Sequence, residues 1–254
     1  MSQARNPAFG GTAPGRRPNV GGVDRQDRRT AVGSHSAKSA LFDAVAEVAG
    51  ALATGRRLEI VDLLNQGERS VDEIAREIGQ SSANTSHHLR SLARAGLLRQ
   101  RREGTRIYYR LSGPAVDALW DALCEVAEGT RDDLARLQVA YVGDLSEVSV
   151  VSRDKLAQMM RDTGVVIIDV RPEVEYLDSH ITNAISIPIT ELESRISEIP
   201  AGRQVVAYCR GRYCAFAPAA VRLLGQYGVS AARLEEGFPE WRRAGLPVSS
   251  GRPG

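Results

Sequence analysis

Residues able to do chemistry are concentrated in one short segment, YCRGRYCA at 208–215. Cys209 follows an apolar run that predicts a strand and precedes a run that predicts a helix. We therefore expect it at the carboxyl edge of a parallel sheet, where the sites of open α/β sheets lie. The backbone amides of such a loop favour an anion, and Arg210 and Arg212 add positive charge. The pattern predicts a lowered pKa for the Cys209 thiol and a nucleophilic role for it.

The other residues of this loop suit the same chemistry. Gly211 permits a tight backbone turn, and Cys214 places a second thiol five residues after Cys209. A structural buried cysteine is the alternative, but it does not call for two neighbouring arginines and a glycine. The candidate catalytic residues are Cys209, Arg210, Gly211, Arg212, Tyr213 and Cys214.

Cysteine usage and apolar runs indicate the compartment. The 254 residues contain three cysteines, too few and too unevenly spaced for a disulfide framework. No run of about 18 apolar residues predicts a membrane span, and no apolar core near the N-terminus predicts a secretory signal. We expect a cytoplasmic protein with no membrane partner.

The elements around Cys209 alternate between strand and helix. Apolar runs predict strands at 165–168, 184–188, 205–208 and 232–234, and an Ala- and Leu-rich run predicts a helix at 215–227. Alternation over about 100 residues predicts an α/β domain with a central parallel sheet covered by helices on both faces.

Residues 148–250 resemble the rhodanese domain. The matching segments are IDVRP (168–172) with Glu175 and Tyr176, HI (180–181), NA (183–184), IP (187–188), EGF (236–238), Trp241 and AGLP (244–247). The resemblance implies that Cys209 is the persulfide-bearing nucleophile of a sulfurtransferase, supplied by a small sulfur anion such as thiosulfate or by a persulfide donor. It also implies that Asp169 and Arg171 form an ion pair bracing the loop, and that His180 is structural.

Two positions depart from the rhodanese pattern. Ser179 replaces a glycine, and Cys214 stands where many rhodaneses carry Arg or Ser. Cys214 could attack a Cys209 persulfide and release sulfide, pass the sulfur onward, or merely cap the helix. Related arsenate reductases and phosphatases use a longer loop that ends in an arginine. Ala215 lies six residues after Cys209, so sulfur transfer is preferred to arsenate or phosphoryl chemistry.

The first half of the chain carries a different pattern. Ser70 and Glu73 are spaced as a capping box that opens a helix, which stops near Gly79 and is followed by a second helix capped by Gly96. Two β-prone runs around Gly104 then predict a hairpin. Seven arginines and one acid lie between residues 81 and 110. A helix-turn-helix followed by a basic hairpin is typical of a winged helix that binds DNA.

The second of these helices and the hairpin supply the candidate DNA contacts. Small polar side chains near a recognition helix N-terminus read base edges, while arginines hold phosphates. The candidates for base contact are Ser82, Asn84, Ser86, His87 and His88, and those for phosphate contact are Arg90, Arg94, Arg101, Arg102 and Arg106.

Residues 39–140 resemble ArsR-type repressors through SHHLRSLARAGLL (86–98) and REGTRIYY (102–109). The resemblance implies a homodimer on palindromic double-stranded operator DNA, joined through the first and last helices of this domain. An apolar stripe from Val116 to Val126 on the last helix suits packing against a second copy. Val71, Asp72 and Glu73 stand where metal-sensing members carry cysteines, and no histidine lies between 114 and 141. We expect no metal and no cofactor, and expect Cys124 to act as a small buried apolar residue.

The chain is thus predicted to have three parts: a disordered basic tail (1–38), an ArsR-type winged helix (39–140) and a rhodanese-like domain (148–250). The favoured function is a regulator, acting as a repressor, that links gene control to a persulfide on Cys209. Three alternatives stay open. The rhodanese part is a catalytically passive sensor module, the winged helix serves only the dimerisation of an enzyme, or the protein handles arsenate or phosphoryl groups.

Overall fold

The computed structural model describes residues 35–162 and 164–251. The predicted disordered tail lies outside the described residues, except that 35–38 already belong to the first helix. The predicted fold class is confirmed: a mainly-α winged helix-turn-helix precedes an α/β half with a central parallel sheet. The side-chain contacts described below all lie within the compact unit that begins at Val45.

The winged-helix half contains six helices and three strands. They are α1 (His35–Gly50), α2 (Gly55–Leu64), β1 (Arg69–Ser70), α3 (Val71–Glu77), α4 (Ser82–Arg94), β2 (Leu98–Glu103), β3 (Arg106–Leu111), α5 (Pro114–Thr130) and α6 (Leu134–Val142).

The capping and turn signals predicted from the sequence are present in this half. The Ser70 hydroxyl accepts from the Glu73 amide, while the Glu73 carboxylate accepts from the Ser70 amide at 2.8 Å, so the capping box is confirmed. Gly79 (φ +61°) turns the chain between α3 and α4. Thr85, Leu89 and Leu92 bury one face of α4, which leaves the opposite face exposed.

The apolar stripe on α5 is divided between two environments. Val116 is buried and Trp120 packs against the winged-helix core, so part of the stripe fills a core within the same chain. Leu119, Leu123 and Val126 are exposed. The prediction that the whole stripe faces a second copy was therefore wrong for Val116 and Trp120.

The α/β half follows with five further helices and seven strands. They are β4 (Val150–Val151), α7 (Arg153–Arg161), β5 (Val165–Asp169), α8 (Glu173–Asp178), β6 (His180–Ile181), β7 (Ile185–Ser186), α9 (Leu192–Arg195), β8 (Gln204–Tyr208), α10 (Phe216–Gln226), β9 (Ala231–Leu234), α11 (Phe238–Arg243) and β10 (Val248–Ser249).

Five of these strands form the parallel sheet, in the order β4-β9-β8-β5-β7, and β6 pairs with β10 separately. Alternate residues of each strand enter different cores: Val205 and Ala207 lie in one, Val206 and Tyr208 in the other. Because both faces are covered, the central strands are apolar throughout. Asp169 pairs with Tyr208 in register, which brings the ends of β5 and β8 to the same edge as Cys209.

Among the described residues, no helix combines the length and apolar character needed to cross a membrane.

Candidate active site and nucleic-acid interface

Close backbone packing against Gly237 and Phe238 fixes the Cys209 loop. The Phe238 amide donates to the Cys209 carbonyl at 3.0 Å. A Cβ on Gly237 would lie 2.2 Å from the Gly211 nitrogen, so only glycine allows this approach. Gly211 itself has φ +141°, a conformation that favours glycine. These contacts hold Cys209 at the carboxyl edge of β8.

The two thiols of the loop form a pair, and their protonation differs from the prediction. Burial, together with the neighbouring Cys214, raises the pKa of Cys209 well above its ordinary range. Burial also acts on Cys214, but hydrogen bonds from Cys209 and from backbone amides outweigh it and lower the pKa of Cys214. The expectation of a lowered Cys209 pKa was therefore wrong in this conformation, because the thiol is 4% exposed.

Both arginines of the loop are paired with carboxylates, so neither guanidinium is left unpaired to bind an anion. Arg212 lies 2.6 Å from Asp121 and 2.9 Å from Glu128, both on α5. Arg210 lies 2.5 Å from Glu175 and 3.2 Å from Glu77, the last residue of α3. Both guanidinium groups are thus neutralised by carboxylates, three of which come from the winged-helix half. The sequence predicted the arginines but not their partners.

Loop backbone and aromatic groups make further contacts with the same half. Gln66 donates to the Arg210 carbonyl at 2.9 Å, and Gln138 donates to the Arg212 carbonyl at 3.0 Å. The Tyr213 hydroxyl donates to Glu128 at 2.9 Å. The Cys209 loop is therefore part of the contact between the two halves.

A buried polar network lies beneath this contact. Arg171 binds Asp169 through two nitrogens, at 3.0 and 2.6 Å, and Tyr208 donates to the same carboxylate at 2.6 Å. Arg171 also donates to Gln66 at 3.3 Å. The ion pair thus supports the loop indirectly, through the side chain that holds the Arg210 carbonyl.

Glu175 connects the same network to the winged helix. Its carboxylate is fully buried and lies 3.0 Å from Arg69 of β1 as well as next to Arg210. His180 is also buried, stacks on Tyr176 with ring centroids 3.7 Å apart and bonds the Tyr176 carbonyl at 2.7 Å. The geometry gives His180 a packing role, away from the loop.

Cys124 is buried on α5 and is close to the loop. Burial raises its pKa to about 12, while Arg212 and a hydrogen bond with Tyr213 oppose the shift. It is therefore a protonated thiol at neutral pH.

Sequence reasoning missed the acids and amides that hold the loop. They are Gln66, Glu77, Asp121, Glu128, Gln138 and Glu175. One signal was present: Asp117, Asp121 and Glu128 share a face of α5 at helical spacing. Arg242 and Arg243 of α11 contact Asn65 and Asp117 of the winged-helix half as well.

The predicted DNA-contacting residues are brought together on α4 and the wing. Ser82, Asn84, His87, Arg90 and Arg94 are exposed on α4, whereas Ser86 and His88 are half-buried. Arg101, Arg102 and Arg106 are exposed on the hairpin. Burial and the nearby positive charges of His87, Arg57 and Arg56 lower the pKa of His88, which favours a neutral ring at neutral pH.

Two of these side chains contact carboxylates of the described residues. Arg101 forms ion pairs at 2.6 Å with Glu68 and with Glu103, and lies over the Tyr108 ring. Ser82 donates to Asp72 at 2.8 Å. Arg102, in contrast, contacts the Gly104 carbonyl and no carboxylate among the described residues. The wing therefore offers phosphate a freer cation at Arg102 than at Arg101.

A winged helix joined to an α/β domain with a cysteine loop defines a two-domain DNA-binding regulator, and comparison with known proteins agrees. Residues 54–100 match the family of bacterial regulatory proteins described as the arsR family, and residues 152–244 match the rhodanese-like domain. The chain is 44% identical over 221 residues to the HTH-type transcriptional regulator Rv0324 of Mycobacterium tuberculosis. That match covers 87% of this chain and 97% of that protein. The chain therefore belongs to the ArsR family of transcriptional regulators, and it carries a C-terminal rhodanese-like domain.

Two further similarities each cover one half. The chain is 32% identical over 102 residues to a sulfurtransferase of Allochromatium vinosum, covering 40% of this chain and 94% of that protein. It is 46% identical to the homodimeric winged helix-turn-helix DNA-binding domain of Mb0332 from Mycobacterium bovis, whose solution structure matches with a TM-score of 0.37. That match covers 40% of this chain and 94% of that one.

Proposed function

We propose that this regulator is a homodimeric repressor whose affinity for operator DNA responds to sulfur chemistry at Cys209. The observation that carries the proposal is the engagement of Arg210 and Arg212 by carboxylates of the winged-helix half. The exposed Leu119, Leu123 and Val126 on α5 support the dimer.

The chemical step is a transfer of sulfane sulfur. Cys209 first passes its proton to Cys214, the neighbouring thiol whose pKa is lowered. The resulting Cys209 thiolate attacks the outer sulfur of thiosulfate, and a new S–S bond forms while the bond to the sulfite sulfur breaks. Sulfite leaves with the electron pair, and Cys209 carries a persulfide. An acceptor thiolate, either Cys214 or a small external thiol, then attacks the outer sulfur of this persulfide; the sulfane sulfur moves to the acceptor, and Cys209 leaves as a thiolate.

The link to DNA follows from charge competition. An anion or persulfide at the loop competes with Glu77, Asp121 and Glu128 for the two guanidinium groups. Glu77 ends α3, directly before the turn into the recognition helix α4, and α5 carries the other two acids. Release of these carboxylates changes the support of both helices, and hence the orientation of the recognition helix on DNA.

The test compares operator binding by the full chain before and after thiosulfate treatment, using fluorescence anisotropy with DNA from upstream of its own gene. Mass spectrometry of the Cys209 peptide follows the added sulfur, and Cys209→Ser is the control. We expect one sulfur atom on the wild-type peptide, weaker DNA binding after treatment, and neither change in Cys209→Ser. Thiosulfate:cyanide sulfurtransferase turnover is expected in the wild type and lost in Cys209→Ser.

The rival functions give different results. A passive rhodanese module predicts DNA binding that ignores the donor, and an enzyme with a purely dimerising winged helix predicts no binding to the upstream DNA. Arsenate or phosphoryl chemistry predicts turnover of arsenate or a phosphate ester without sulfur on Cys209. Each of these outcomes would contradict the proposal.

A further inference from the structure

Arg233 is a cation on the same side of the sheet as Cys209. It lies on β9, next to β8, where it pairs in register with Ala207. Cys209 comes two residues after Ala207, and both belong to the core on one face of the sheet. Because side chains of a strand alternate between faces, Arg233 and Cys209 lie on the same face, one diagonal step apart.

The guanidinium of Arg233 points toward the catalytic edge. Its Nη1 donates to the carbonyls of Leu234 and Glu235, at 3.2 and 2.9 Å, which lie at the carboxyl end of β9. That end of the parallel sheet is also the end at which Cys209 follows β8. The guanidinium interacts electrostatically with Cys209 and with Glu235.

One donor of this guanidinium is free. The Nε atom of Arg233 is buried and has no hydrogen-bond partner among the described residues. A buried N–H without an acceptor is costly, and a catalytic role is one of the explanations for such a group. Burial accordingly lowers the pKa of Arg233, against the opposing effects of Cys209 and Glu235.

The loop arginines cannot fill this role in the same conformation. Arg210 and Arg212 are each held by two carboxylates, so their charge is compensated. We infer that Arg233 is the positioning cation for Cys209, with Nε donating to the thiolate and then to the terminal sulfur of the persulfide. This role rests on the proposed function of Cys209. Cys214 acts on the pKa of Cys209, and Cys209 and Glu235 act on the pKa of Arg233.

The test measures iodoacetamide alkylation of Cys209 in the full chain between pH 6 and pH 10, resolved from the other cysteines by peptide mass spectrometry. In Arg233→Gln we expect the apparent pKa of Cys209 to rise and the rate at pH 7.5 to fall about tenfold, as loss of a nearby opposite charge requires. Arg233→Lys should restore the rate to within about threefold of wild type, because it keeps the charge. Arg195→Gln, which removes an arginine paired with Glu191 and Glu198 on another part of the surface, is the matched control.

A folded Arg233→Gln protein with the wild-type pH profile would overturn the inference. If that variant does not fold, Arg233→Met is judged by the same profile, with circular dichroism as the check on folding. Failure of the proposed function is distinguishable, because it appears as the absence of sulfur on wild-type Cys209 after thiosulfate treatment, whatever the alkylation profile of the Arg233 variants.

Discussion

The guanidinium of Arg212, three residues beyond Cys209, lies 2.6 Å from the carboxylate of Asp121 on α5. This ion pair joins the loop that carries Cys209 to the long helix α5 of the DNA-binding half. Glu128 lies about two turns further along the same face of α5, and it contacts both Arg212 and Tyr213. A chemical change at Cys209 would therefore occur on a loop that directly contacts the winged-helix half.

Removal of these carboxylates should release the loop. In Asp121→Asn combined with Glu128→Gln, we expect the rate of Cys209 alkylation at pH 7.5 to rise about fivefold, because partly exposed ion pairs contribute about 0.2–1 kcal/mol each. Glu125→Gln, an exposed acid of the same helix, is the control. An unchanged rate in the double variant would show that these acids do not restrain the loop.

Gly237 should not tolerate a side chain. In Gly237→Ala the new Cβ would meet the backbone of Gly211 at 2.2 Å, so the loop must move. We expect a loss of about 1–3 kcal/mol in the free energy of unfolding, measured with urea, together with loss of thiosulfate turnover. Gly225→Ala in α10 meets nothing within 4 Å and should be neutral or stabilising. Equal stability of the two variants would refute the close packing.

The wing arginines should differ in their contribution to DNA binding. Arg102→Gln is expected to reduce the slope of log binding constant against log salt by about 0.9, the value for one phosphate contact. Arg101→Gln should leave that slope nearly unchanged, because Arg101 already pairs with Glu68 and Glu103. The measurement is anisotropy over a salt series, and the opposite order would contradict this assignment of the phosphate contact.

Asp62 should make stability depend on pH. Burial raises its pKa from 3.8 to about 6, with Glu240 and Glu175 acting in the same direction and Arg210 and Trp120 against it. The folded state binds the Asp62 proton more tightly than the unfolded state does. The free energy of unfolding therefore falls as pH rises from about 4 to about 6, and it stays at the lower value at higher pH. Asp62→Asn should therefore raise the free energy of unfolding at pH 7.5 by about 1 kcal/mol and leave it nearly unchanged at pH 4.

Urea unfolding at the two pH values measures this difference, with the exposed Asp132→Asn as control. A gain of equal size at both pH values would show that the effect does not come from the charge on Asp62.

Local signals were sufficient to predict most of the elements. The capping box of Ser70 and Glu73, the turn at Gly79 and the hairpin tip at Gly104 each depend on a few neighbouring residues, and all three are present. The strand ending at Tyr208 was predicted because its apolar run is buried on both faces. The two-residue strands β4 and β10 were not, because pairs this short carry no period.

The site was predictable in its residues but not in its electrostatics. The position of Cys209 follows from the strand and helix on either side of it. The state of Arg210 and Arg212 depends on carboxylates 35 to 133 residues away along the chain, and no local pattern gives that pairing. Packing of Cys209 into the core of the α/β half buries the thiol and raises its pKa, which reverses the expectation drawn from the loop alone.

The spacing of acids on α5 has a consequence for exchanging domains between related proteins. Asp121 and Glu128 stand two helical turns apart, and both reach Arg212, while Glu128 also takes the neighbouring Tyr213. The position of Arg212 and Tyr213 in the cysteine loop thus places both side chains on one face of a helix in the other half. A chimaera that takes its rhodanese segment from a relative with one residue more or less in this loop would lose that placement. The two halves of this regulator must consequently be transplanted together.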